Sequence, residues 1–176
     1  MYLTAPRDPD WTSRITDLEI LTTHTFSNRQ LAKEALTAPG RPLRSGGTDG
    51  NKRLAIYGDA ILKVALVDTW YPTPLGRGSF SRTLNDVAGN NNLDRAGRAS
   101  GLVELVWKSP GEIGVPFKVM GDTVEAVLGA VWLDSGMNLD AVKGVMGRLG
   151  IGIAATAAAN GNGGRGDAMA NVIGFE

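Results

Sequence analysis

Asp122 and Glu125 stand three residues apart in the run 118–136, Lys-Val-Met-Gly-Asp-Thr-Val-Glu-Ala-Val-Leu-Gly-Ala-Val-Trp-Leu-Asp-Ser-Gly. At helical spacing the two carboxylates share one face. Val119, Val124, Val127, Leu128, Val131 and Trp132 fill most of the remaining circumference. A helix so apolar is usually buried, and ionised carboxylates there are costly unless they are paired or bound to a cation. A solvated polar stripe is the simpler explanation for two acids on a helix. What weighs against it is another carboxylate in a similar setting elsewhere in the chain.

That setting is residues 52–70, where Leu54, Ile56, Tyr57, Ile61, Leu62, Val64, Ala65 and Leu66 cover more than one stripe, as in a central helix. Asp59 interrupts the run directly after Gly58. A glycine inside a helix costs about 1 kcal/mol relative to alanine, so it needs a reason. Close approach of another backbone is one, and Gly129 and Ala130, one turn beyond Glu125, could supply the matching surface. Two helices crossing at small residues, with Asp59 facing Asp122 and Glu125, would build a site of hard oxygen donors. Three carboxylates with waters suit Mg²⁺ or Mn²⁺, and the lack of cysteine together with a single histidine disfavours zinc.

These two segments resemble the ribonuclease III endonuclease domain. Its signature, approximately Glu-Arg-Leu-Glu-Phe-Leu-Gly-Asp-Ala-Val-Leu, is similar to Lys52-Arg53-Leu54-Ala55-Ile56-Tyr57-Gly58-Asp59-Ala60-Ile61-Leu62. Its second motif, Ala-Asp-Thr-Val-Glu-Ala-Leu-Ile-Gly-Ala-Val, resembles Gly121 through Val131, with Asp-Thr-Val-Glu-Ala matched in full at 122–126. Weaker similarity runs from Phe26-Ser27-Asn28 to Thr37 and from Asn90-Asn91-Asn92-Leu93 to Leu102, so that residues 14–149 follow the family's order and spacing.

The resemblance implies an all-α, dimeric endoribonuclease that hydrolyses double-stranded RNA by divalent-metal-activated water and leaves 5′-phosphate ends. Of the family's four acidic metal-site residues, three carry over: Asp59, Asp122 and Glu125. These are the expected catalytic and metal-binding residues, with Mg²⁺ or Mn²⁺ as cofactor. The fourth position is Ala55, and the acid that opens the signature is Lys52. Residues 52, 55 and 59 share a helix face, so the site has lost a ligand and gained a positive charge nearby. Lys52, with Arg53, is expected to contact RNA phosphate as a point charge. Residues near 56–66, with Tyr57, Ile61 and Val64 foremost, are the expected homodimer contacts. The competing reading is a catalytically impaired RNA-binding or scaffold protein on the same domain, favoured by Ala55 and Lys52 and opposed by the three retained acids.

Composition sets the bounds. At 176 residues the chain fits a single domain, expected over 1–150, followed by a low-complexity flexible tail over 151–176 that leaves no room for a double-stranded-RNA-binding domain. Lys plus Arg equals Asp plus Glu, 18 each, so no global charge footprint of a nucleic-acid binder exists. Basic residues cluster locally at Arg41, Arg44, Lys52 and Arg53 and again at Arg77, Arg82, Arg95 and Arg98. No cysteine excludes disulfides, no run reaches the about 18 apolar residues of a membrane span, and no signal peptide is apparent, so a soluble intracellular protein without membrane partners is expected.

The positioning elements read as helices between Gly/Pro-rich joints. Ile15, Leu18 and Leu21 give a first helix; Ser27-Asn28-Arg29-Gln30 opens a second; Tyr71-Pro72-Thr73-Pro74 ends the first motif helix. A helix is expected from about Ser81 to Ala88, another capped by Asn92, and a last one capped by Asn138. Residues 102–107 read as a helix extension or a short extended stretch. His24 is expected to be structural, the Gly46-Gly47 and Gly76-Arg77-Gly78 sequences to be turns, and the four tryptophans to be core or interface anchors.

Overall fold

The computed structural model describes residues 10–41, 49–109 and 111–152; the expected tail beyond residue 152 lies outside the described residues. These form helices α1 (Trp11–Thr22), α2 (Arg29–Ala35), α3 (Lys52–Trp70), α4 (Arg77–Ala88), α5 (Asn90–Ala99), α6 (Phe117–Asp134) and α7 (Leu139–Arg148), with a 3₁₀ turn at Leu102–Leu105. Among the described residues the fold is all-α, with one isolated bridge between Thr37 and Trp107.

Polar caps start several helices. The Asp10 carboxylate accepts from the Thr12 and Ser13 amides ahead of α1, and the Asn138 carboxamide accepts from Asp140 and Ala141 ahead of α7. At α2 the cap is Asn28, whose side chain accepts from the Gln30 amide, one residue later than a Ser27 cap would place it. Two expectations need correction. Helix α4 begins at Arg77 rather than near Ser81, because Gly76 enters it from an extended conformation and Gly78 lies inside the first turn. Asn92 is not a cap: it lies within α5, buried, and its amide donates to the Val87 carbonyl at 2.8 Å, closing the α4–α5 corner. Residues 102–107 divide: the first four form the 3₁₀ turn, and Trp107 extends to exchange backbone hydrogen bonds with Leu36 (2.7 Å) and Ala38 (2.9 Å).

The principal contact is α3 against α6, with α5, α2 and α7 also packed on α6. Leu62 and Leu66 of α3 and Val124, Val127, Leu128 and Val131 of α6 are buried in one core that also takes in Leu93, Met146 and Ile151. Asn51 ties this arrangement together before α3 begins. Its buried amide donates to the Ala35 carbonyl at the end of α2 and to Thr123 Oγ1 on α6, both at 3.0 Å. No helix among the described residues is long and apolar enough to cross a membrane.

Candidate active site

The α3–α6 crossing is built on two glycines. A Cβ on Gly58 would sit 1.7 Å from the Glu125 carbonyl oxygen, and one on Gly129 would sit 2.5 Å from the Leu54 carbonyl oxygen. Each helix therefore presses its glycine onto the other's backbone, which repays the helix-propensity cost of a mid-helix glycine. The contact also brings Asp59, the residue after Gly58, beside Glu125. Asp122 lies one turn before Glu125 on α6, and all three acids are partly exposed while their neighbours Gly58, Thr123 and Val124 are buried.

Glu125 is the acid on which the other two act. Burial pushes the Glu125 carboxyl up to about 7, and the charges of Asp59 and then Asp122 push in the same direction, against the opposing pull of Lys63 and Lys118. Burial also raises Asp122, offset by Lys118 and Lys52. Neither Asp122 nor Glu125 joins any ion pair found among the described residues. Asp59 does: Lys63 Nζ lies 2.7 Å from its Oδ2, one turn along α3.

The donor set fits a hard divalent cation. All three groups are carboxylates, and the negative charge gathered around Glu125 is what such an ion would neutralise. The acids do not close into a ready-made cage, since no tight group of three His, Cys, Asp or Glu side chains occurs among the described residues. An ion that keeps most of its waters, as Mg²⁺ does, needs no such cage. Ala55, at the base of the site, is packed in the core with 5% exposure and contributes no donor.

The basic residues separate. Lys52 is exposed and its charge reaches Asp122, whereas the exposed Arg53 acts on Glu34 of α2, which burial otherwise raises. Arg41 is buried, its guanidinium stacked 4.1 Å from the Trp107 ring centroid, so it is not available to a groove; Arg44 lies outside the described residues. Arg95 and Arg98 are turned to Asn92 and to Asp94 and the Val115 carbonyl. Arg77 and Arg82 are exposed on α4. Lys63 and Lys118, each spaced four residues from Asp59 or Asp122, also act on the acids, and that spacing is the sequence signal for them. His24 is structural as expected: its Nε2 lies 2.9 Å from Asp134 Oδ2.

The ribonuclease III domain model matches residues 52–136, which span both glycines and all three acids. The chain is 33% identical over 127 residues to Ribonuclease 3 of Vibrio vulnificus, covering 69% of this chain and 53% of that protein. It is 34% identical over 125 residues to Ribonuclease 3 of Streptomyces coelicolor, covering 68% of this chain and 45% of that one. The matched part thus spans about half the length of these curated relatives. Two solved structures of the nuclease domain of ribonuclease III from Campylobacter jejuni share the fold, with TM-scores of 0.64 and 0.62 at 23% identity. Each is matched over 77% of this chain, against 94% and 92% of the solved domains. The helical nuclease fold, the matched domain and the identity to these ribonucleases agree: the chain belongs to the ribonuclease III family.

Proposed function

We propose that the chain is an endoribonuclease that hydrolyses double-stranded RNA at Asp59, Asp122 and Glu125 with Mg²⁺ or Mn²⁺, leaving 5′-phosphate ends. The observation that carries this reading is the crossing at Gly58 and Gly129, which holds three carboxylates from two helices in one partly buried, negatively crowded patch. When bound, the cation supplies a polarised water and neutralises charge at the scissile phosphate. Asp59 and Glu125 would hold it, and Asp122 would ligate as well or orient a water beside it. Lys52 offers an exposed ammonium to a neighbouring phosphate, and Arg77 and Arg82 offer further points along a duplex backbone; Arg53 makes at most a peripheral contact.

The outer face of α3 supports a homodimer. Ile56, Tyr57, Val64 and Val67 lie exposed along it, at 75%, 44%, 49% and 41%. This apolar row adjoins the site, and a second copy would cover it. Paired copies would set two sites against opposite strands. One of the C. jejuni nuclease-domain structures is described by flexibility in its region involved in dimer formation.

A second reading, binding of RNA without cleavage, is favoured by Ala55 and by the lysines around the acids. One assay separates the two: the full chain is incubated with long duplex RNA in Mg²⁺ and in Mn²⁺. The enzyme reading expects cleavage of duplex over single strands, ends that carry 5′-phosphate, and no products in chelator. A protein that retards duplex RNA on a gel and cuts it in neither ion is the scaffold instead.

A further inference from the structure

We infer that Lys63 is a built-in counter-cation: its ammonium pairs with one oxygen of Asp59 and competes with a divalent cation for that carboxylate, so Lys63 raises the amount of metal the site requires. This rests on the reading of Asp59, Asp122 and Glu125 as a metal site.

The pair is direct, with Nζ 2.7 Å from Asp59 Oδ2, and both side chains are partly exposed, at 49% and 37%. Lys63 acts on more than its partner, since its charge also reaches Glu125. Lys118 reaches both Glu125 and Asp122, and Lys52 reaches Asp122. Three ammonium groups therefore stand around three carboxylates, and among them Lys63 alone makes a contact. That contact is at the carboxylate placed by Gly58. An exposed ion pair on a helix surface is weak and its lysine is flexible, so the ammonium is displaceable. While it stays, it both blocks an oxygen and repels a dication at close range. The other lysine–aspartate pair near α3, Lys143 with Asp68, is two and a half turns farther along and carries the same charge away from the site.

The test is Mn²⁺ binding by electron paramagnetic resonance or calorimetry, with no RNA present, on the full chain and on Lys63→Met, Lys63→Gln, Lys63→Arg and Lys143→Met. Circular dichroism verifies helical content for each. Lys63→Met and Lys63→Gln should bind Mn²⁺ about threefold to tenfold tighter than the parent. Lys63→Arg and Lys143→Met should stay within about twofold. Equal or weaker binding by both neutral Lys63 variants, with measurable binding by the parent, overturns the inference and leaves the metal site standing. Absence of Mn²⁺ binding in the parent and in every variant overturns both.

Discussion

At the C-terminal end of α6, Asp134 accepts hydrogen bonds from the Asn28 amide at 2.7 Å and the Ser27 amide at 3.0 Å, with His24 Nε2 at 2.9 Å. About two and a half turns earlier on the same helix, Glu125 has no ion-pair partner among the described residues and faces two other acids. Burial raises both carboxyls, but at Asp134 the backbone donors and His24 outweigh it and hold the group below the ordinary carboxylate range. At Glu125 the neighbouring charges add to burial instead. An acid that staples the α1–α2 connection to α6 is thus satisfied within the fold. Glu125 has no such partner among the described residues and is left under the charge of its neighbours, the pattern expected of a group that meets an external ligand.

The linkage signs differ accordingly. Asp134 stabilises the fold at pH above the ordinary carboxylate value, and that contribution is lost as pH falls through its depressed pKa. Glu125 does the reverse: with a folded pKa of about 7 against 4.5, the fold binds its proton more tightly, so stability falls as pH rises from 4.5 through 7.

The largest expected effect is at the crossing that positions Asp59 beside Glu125. Gly58→Ala would gain up to about 1 kcal/mol in an open helix. Here it should cost about 3 kcal/mol or more, because Cβ would collide with the Glu125 carbonyl. Urea denaturation decides it, and a neutral or stabilising result would mean that the helices are farther apart than described. Next comes the staple. Asp134→Ala should lose about 2 kcal/mol at neutral pH by leaving the Ser27 and Asn28 amides without their acceptor. In an acid titration of stability, the gap to the parent should close as Asp134 protonates.

Glu125→Gln should move the other way. It should stabilise the metal-free protein by about 1 kcal/mol at pH 8, after allowing for solvent screening of a partly exposed group. The gain should fade toward pH 5, and a constant gain across that range would show that the glutamate is not under the charge pressure assigned to it. The smallest effect on stability is at the outer face of α3. Ile56→Lys, at a position 75% exposed, should change monomer stability by less than about 0.5 kcal/mol. Sedimentation should nonetheless show a shift toward monomer; an unaltered oligomeric state would remove this face from the proposed dimer.

Much of this contrast was legible in the sequence. Gly58 announced a backbone approach because a mid-helix glycine beside an acid has no local benefit, and Gly129 answers it. Asp122 and Glu125 stood out because an apolar helix tolerates few unpaired acids. Less legible were features in which one residue type serves several purposes. Asn92 looked like a cap, yet its amide holds the α4–α5 corner. Arg41 stands in a local cluster of basic residues, yet a tertiary partner, Trp107, covers it. Lys63 and Lys118 share the helix faces of Asp59 and Asp122 by spacing alone, but that their charges also reach Glu125 shows only in the folded crossing. The dependence of α6 on Asp134 was hidden for the same reason, since Ser27 and Asn28 are more than a hundred residues away.

The most direct test measures stability and duplex-RNA cleavage side by side for Glu125→Gln and Asp134→Ala, two substitutions on one helix. Glu125→Gln should lose cleavage in Mg²⁺ by about a hundredfold or more while its metal-free fold is unchanged or more stable at pH 8. Asp134→Ala should lose stability and, below its own melting range, keep cleavage within a few-fold of the parent. Cleavage by Glu125→Gln at the parent's rate would contradict the assignment of the reactive site to the α3–α6 crossing.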